Sequence, residues 1–270
     1  MQDLYQKIVE CLKNGEAVVL ASIINTEGST PRGVGAKMLV RGDGTKYGSV
    51  GGDCVEELIR VEALKALQNG ESRVRTYKLE EDEKGGVGML CGGEIGVFVE
   101  VLKPKPTLLL IGGGGLAYPL AKLGQMLNFY VTVVDPYLDR EKFSFVDEAV
   151  CESVESALGK VKITPQTYVV IVTRHKYDEP AVRAVINSPA AYIGLMGSRA
   201  RVKKVFEALE AEGIPQAKLK KIMAPVGLDI RAETPSEIAV SIIAEIISNM
   251  RGGTCTPLSQ RRQPLTANVP

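Results

Sequence analysis

Leu108-Leu109-Leu110-Ile111-Gly112-Gly113-Gly114-Gly115-Leu116-Ala117 is the stretch that decides the fold. Four aliphatic residues in a row read as a strand buried on both faces. They run directly into G-x-G-x-x-A, whose glycines allow close backbone approach while the next helix start offers free N–H groups. Further strand candidates at Tyr130–Val134, Tyr168–Val172 and Ala191–Gly194 alternate with amphipathic helical stretches. That rhythm predicts a parallel, doubly wound sheet of Rossmann type. Gly112, Gly114 and Gly115 are therefore candidate contacts for a phosphate-bearing ligand. Asp135 ends the next strand, where an acid accepts from a ribose 2′-hydroxyl and favours NAD over NADP. The plainer reading of the same glycines is a tight strand-to-helix turn with no ligand.

Two other strand ends carry candidates. His175, the only histidine, stands in Thr173-Arg174-His175-Lys176-Tyr177-Asp178 and is a candidate ligand contact or a surface residue with no role. Gly194-Leu195-Met196-Gly197-Ser198-Arg199 repeats the strand, glycine, helix arrangement. In it Gly197 permits the turn, Ser198 is a candidate cap and Arg199 a candidate phosphate contact. Thr234-Pro235-Ser236-Glu237 reads as a structural capping box.

Upstream, Lys103-Pro104-Lys105-Pro106 suits neither helix nor central strand, which places a domain boundary there: residues 1–103 and 104–270. At 270 residues the chain is long enough for two domains. The first part predicts a helix at Leu4–Lys13, strands at Ala17–Ile24, Ala36–Val40 and Thr45–Val50, a helix at Cys54–Gln68, and strands at Arg73–Leu79 and Glu94–Leu102. The fold class expected is α/β: an N-terminal α+β domain followed by a Rossmann-type parallel-sheet domain.

Two loops of the first domain carry chemistry. Glu27 to Gly33 presents Ser29 and Arg32. Gly51-Gly52-Asp53-Cys54-Val55-Glu56 leads into a helix, with Asp53 and Glu56 at capping-box spacing. Cys54 is then expected at the first helical position, where the helix dipole favours a thiolate. Cys91 lies in Cys91-Gly92-Gly93 at the end of a second glycine-rich loop, 84–93. Either cysteine alone is ordinarily a small buried hydrophobe. Together with Ser29, Arg32, Gly51 and Gly52 they form a candidate anionic-cofactor site beside a thiolate.

Composition removes other classes. Lys+Arg number 33 against 32 Asp+Glu, so no broad basic field exists to attract nucleic acid. No apolar run is long enough to span a bilayer and the N-terminus lacks a leader pattern, so a cytoplasmic protein is expected. Five scattered cysteines without C-x-x-C spacing indicate neither a disulfide framework nor structural zinc. One histidine and no nucleophile elbow disfavour hydrolase chemistry.

These segments, in this order, resemble the xanthine dehydrogenase accessory protein family, XdhC/CoxI, over nearly the whole chain. Gly28-Ser29-Thr30-Pro31-Arg32, Gly48-Ser49-Val50-Gly51-Gly52 with Cys54-Val55-Glu56, and Cys91-Gly92-Gly93-Glu94 match its first domain. Tyr192-Ile193-Gly194, Gly197-Ser198-Arg199 and Gly227-Leu228-Asp229-Ile230 with Ala232-Glu233-Thr234-Pro235 match its Rossmann domain. The resemblance implies a chaperone that binds the molybdenum cofactor (molybdopterin), protects it while a cysteine desulfurase provides the sulfido ligand, and delivers it to a molybdenum hydroxylase such as xanthine dehydrogenase. By that resemblance Cys54 and Cys91 are the reacting and metal-ligating thiols. The chain departs from the family at Gly115 and Met223, where histidines are usual, at Arg231, where glycine is usual, and at Thr173-Arg174-His175, which lacks an inserted residue. The rival expectation is an NAD-dependent oxidoreductase, with NAD or NADP at the glycine loop. A homodimer is the expected assembly, two-fold dimers being commonest.

Overall fold

The apolar run after Gly15 becomes β1 (Val18–Glu27), the middle strand of an antiparallel sheet, in a computed structural model that describes residues 2–79, 92–174 and 177–260. The chain divides into two units, Met1–Lys105 and Pro106–Pro270. In the first, α1 (Gln2–Lys13) precedes β1, the hairpin of β2 (Lys37–Arg41) and β3 (Lys46–Gly48) follows, then α2 (Asp53–Asn69), β4 (Arg73–Lys78) and β5 (Glu94–Leu102). The strand order is β3-β2-β1-β5-β4.

Both faces of β1 are covered. Val19, Ala21 and Ile23 pack with Val55, Ile59 and Ala63 of α2, while Val18 and Leu20 pack with Leu4, Ile8 and Cys11 of α1. This is why six consecutive residues from Val18 are buried and the sequence shows an unbroken apolar run rather than alternation. Helix α2 stops at Gly70, whose left-handed backbone (φ 69°) lets its N–H donate to the Ala66 carbonyl.

The second unit contains β6 (Thr107–Ile111), α3 (Ala117–Met126), β7 (Tyr130–Val134), β8 (Glu148–Val150), α4 (Val154–Leu158), β9 (Thr167–Ile171), α5 (Asp178–Val185), β10 (Tyr192–Leu195), α6 (Arg199–Ala211), α7 (Gln216–Leu219) and α8 (Pro235–Arg251). Its five strands are all parallel, in the order β10-β9-β6-β7-β8. One core joins the sheet to α3 and α8 through Leu120, Ala121, Ile242 and Ile246; the other joins it to α5 and α6 through Ala181, Val182, Val202 and Val205. Strand order reverses between β6 and β9, and open α/β sheets take their ligands outside the carboxyl ends of the strands at that point. Ile111 stands opposite both Val134 and Ile171, so the chain leaves these three strands at one level.

Helix α8 begins with a full capping box. Thr234 Oγ1 accepts from the Glu237 N–H at 3.3 Å, and Glu237 Oε2 accepts from the Thr234 N–H at 2.9 Å. The three-residue edge strand β8 has no counterpart among the expected strands, being too short to show a period. No helix among the described residues is long and apolar enough to cross a membrane.

Candidate functional site

The glycine turn after β6 sits at the switch point. Gly112 has φ +116°, and a side chain there would place its Cβ 2.6 Å from the Val172 carbonyl oxygen and 2.9 Å from the Thr173 nitrogen. Only glycine fits, and its absence of a side chain presses the exit of β6 against the exit of β9. Gly113 donates its N–H to Asp135 Oδ2 at 2.7 Å, and the Tyr137 N–H donates to Oδ1 at 2.8 Å. Both oxygens of the expected ribose acid are thus engaged: Oδ2 clips the glycine turn to the end of β7, and Oδ1 holds the local turn after it. Gly114 and Gly115 have open space where a Cβ would stand. Helix α3 starts at an apolar N-cap, Leu116, without a side-chain cap, and the N–H groups of Gly114, Gly115 and Leu116 find no acceptor among the described residues. Such exposed donors at a helix start suit an anion.

On the other side of the switch point stand β9 and β10. Ser198 caps α6 as expected, its side chain accepting from the Arg201 N–H at 3.2 Å, and Arg199 is exposed. His175 lies outside the described residues. The sequence reading missed Asp178 and Arg201. Asp178 is fully buried, and Arg201 grips it through Nε and Nη2 in a two-pronged ion pair. Arg201 Nη2 also donates to the Thr173 carbonyl at 3.0 Å, and the Thr173 hydroxyl donates to Asp178 Oδ1. The available signal was an acid at the start of a helix beyond a strand end and an arginine one turn into the next helix, 23 positions later; neither is distinctive locally.

In the first unit three loops meet. A Cβ on Gly93 would stand 2.2 Å from the Ser29 carbonyl oxygen and 2.7 Å from that of Glu27, and one on Gly28 would stand 3.2 Å from Gly92 O. The Gly92–Gly93 end of the second glycine-rich loop therefore lies backbone to backbone on the Ser29 loop. On the other side, a Cβ on Gly51 would meet Pro31 Cγ at 3.3 Å, which brings the Gly51-Gly52 turn to the same loop. Ser29 and Arg32 are exposed.

Cys54 is exposed and occupies the second helical position, because α2 starts at Asp53 with Gly52 as N-cap. The expected capping box from Asp53 and Glu56 does not form: the cap position is taken by Gly52, which has no side chain to accept, and buried Glu56 pairs with Lys46 Nζ at 2.7 Å. An ammonium so close competes for the carboxylate more strongly than a backbone N–H does. Burial pushes the Glu56 carboxyl up, but the Lys46 ammonium, the Ser49 hydroxyl and the Val50 N–H outweigh it and hold the group below its usual range. Cys91 lies outside the described residues. Among the described residues the four cysteines are free thiols, and no three His, Cys, Asp or Glu side chains gather into a metal-holding group.

These arrangements can be set beside known proteins. Residues 108–246 match the XdhC Rossmann domain, and residues 11–78 match the XdhC and CoxI family. The uncharacterized protein YqeB of Escherichia coli K12 is 36% identical over 87% of this chain, which spans only 44% of that relative's length. A Bacillus subtilis 168 protein, named as a probable subunit of xanthine dehydrogenase, is 26% identical over 93% of this chain and 98% of its own. The molybdenum cofactor insertion chaperone PaoD of Escherichia coli K12 is 26% identical over 93% of this chain and 90% of its own. A solved structure of a Bacillus halodurans protein called a xanthine dehydrogenase shares the fold, with a TM-score of 0.51 and 24% identity over 94% of this chain and 98% of that one. The chain is a member of the XdhC and CoxI family, and its second unit is an XdhC Rossmann domain.

Proposed function

We propose that this protein binds the molybdenum cofactor, holds it while a cysteine desulfurase supplies its sulfido ligand, and passes it to a molybdenum hydroxylase of the xanthine dehydrogenase type. In this reading it is a stoichiometric carrier and not a turnover enzyme. The observation that carries it is the meeting of the Ser29, Gly51-Gly52 and Gly92-Gly93 loops beside the exposed thiol of Cys54. The relatives named as a cofactor insertion chaperone and as part of a xanthine dehydrogenase support the same role.

The residues fit the cargo. Molybdenum arriving on its pterin needs from the protein one or two soft thiolates and not a cage, and the exposed thiol of Cys54 beside the glycine turns is such a donor. Cys54, joined by Cys91, is the proposed soft ligand. Arg32 and Ser29 are the proposed contacts for negative charge on the cofactor in the first unit; separately, the open N–H groups of Gly114, Gly115 and Leu116 in the second unit suit a phosphate-bearing ligand of their own. His175, Gly197, Ser198 and Arg199 complete the proposed contacts of that crevice.

The test is reconstitution of a cofactor-free hydroxylase with this protein, cofactor and a sulfur donor. Activity should rise in proportion to carrier added, and Cys54→Ser combined with Cys91→Ser should fail although folded. Full activity with the double variant refutes the thiol role. Gly114→Asp, which enters open space, should abolish phosphate-ligand binding by calorimetry without unfolding; retained binding refutes the anion role of the glycine turn. An NAD-dependent oxidoreductase remains the second reading because of the switch-point crevice. Its ribose acid, however, is already engaged by the N–H groups of Gly113 and Tyr137.

A further inference from the structure

We propose that Asp178 and Arg201 form a positioning lock that sets the width of the crevice outside the carboxyl ends of β6 and β9, so that ligand affinity in the second unit depends on a pair that need not touch the ligand. This rests on the reading of that crevice as a ligand site.

Burying both charges is costly. Asp178 is fully buried and the Arg201 side chain is 18% exposed, so both charges have lost most of their water. A buried ion pair of this kind seldom stabilises a fold more than well-packed apolar residues would, and its attested use is to fix one arrangement among several. What it fixes here is visible in its partners. Arg201 belongs to the first turn of α6, after β10; Asp178 is the first residue of α5; and Thr173, bonded to both, is the exit of β9. Three chain segments are therefore tied at one guanidinium, whose planar fork holds the carboxylate side-on through Nε and Nη2. The tie reaches the other wall as well. The missing side chain of Gly112 leaves its Cα packed on Val172 O and Thr173 N, and the Val172 N–H donates to Ile111 O at 2.8 Å. Whatever moves Thr173 moves the glycine turn. On the far side, the Arg201 stem packs against Gly197, where a Cβ would stand 3.2 Å from Arg201 Cδ, so the β10 turn follows the same residue.

The test uses the full chain carrying Asp178→Leu with Arg201→Met, which replaces the pair by apolar groups. Its melting temperature should stay within a few degrees of the parent. Amide exchange of Gly112, Gly113, Val172 and Met196, all hydrogen-bonded in the parent, should accelerate tenfold or more. Should that variant fail to fold, Arg201→Lys keeps the charge and loses the fork, and the same four amides should accelerate severalfold. Unchanged exchange in a folded variant overturns the lock. In parallel, calorimetry with inorganic pyrophosphate and with NADH should show affinity at least tenfold lower in the variant. Faster exchange with unchanged affinity overturns the claimed link to binding. A parent protein that binds neither probe overturns the ligand reading of the crevice, while exchange still decides the lock.

Discussion

Replacing Gly93 by alanine tests the meeting of loops in the first unit with a single methyl group. Gly93 does not need glycine for its backbone angles, so the whole effect is steric. The new Cβ would stand 2.2 Å from Ser29 O, 2.7 Å from Glu27 O and 2.9 Å from Ser29 C, all backbone atoms that no rotamer change can move aside. To reach even 3.0 Å the Ser29 loop must retreat by about 0.8 Å, against the end of the β1–β5 pairing at Glu27 and Glu94. Overpacking of this kind costs about 1–3 kcal/mol, and one or two weakened ladder hydrogen bonds add about 1 kcal/mol each. A loss of about 2–5 kcal/mol follows, out of a total of about 5–15 kcal/mol for a domain, equivalent to about 10–25 °C in melting temperature for a unit of this size. Differential scanning calorimetry of the full chain reads it directly. Gly114→Ala, entering open space, is the control and should melt within about 2 °C of the parent. If Gly93→Ala melts as the parent does, the two loops are not in backbone contact and the first-unit site loses its geometry.

Three further outcomes are expected. Glu56 has its carboxyl held low when folded, so its contribution is complete above about pH 4.5 and lost as pH falls through the lower folded value; Glu56→Gln should flatten the acid side of the urea-midpoint curve between about pH 5 and 3, and an unchanged acid slope counts against it. Iodoacetamide at neutral pH should label exposed Cys54 and Cys255 first and Cys11 last, since Cys11 is 3% exposed and burial pushes its thiol up; peptide mass spectrometry showing equal rates would contradict the packing of α1. Arg231 has φ +56°, a conformation that strains a side-chain-bearing residue, so Arg231→Gly should raise stability by up to about 1 kcal/mol in urea unfolding, and a clear loss would show that the arginine side chain is held by contacts worth more than the strain.

The residues that fixed secondary structure are those whose signal is local. Leu108 to Ala117 announced a buried strand and a glycine turn because a strand covered on both faces must be apolar throughout, and because no residue but glycine fits at Gly112. Thr234 to Glu237 announced a helix start because a capping box is contained in four residues. β8 was silent, since three residues at a sheet edge with a charged member have no period to read. The Asp53–Glu56 cap failed because the helix starts one residue earlier, at a Gly52 cap, and because Lys46, ten positions away on β3, takes the Glu56 carboxylate.

The candidate sites divide the same way. Sequence alone determined which loops are glycine-rich, which strand ends carry Asp135 and Ser198, and that Cys54 lies in the first turn of a helix, one position earlier than it stands, since these follow from neighbouring residues. Only the tertiary structure decided that Gly93 rests on Ser29, that Asp135 clips Gly113 across 22 positions, and that Arg201 reaches Asp178 across 23. Such contacts depend on strand order and on how helices cross the sheet. A buried ion pair or a backbone-to-backbone approach leaves no periodic trace, because its partners are set by the fold and not by their spacing along the chain.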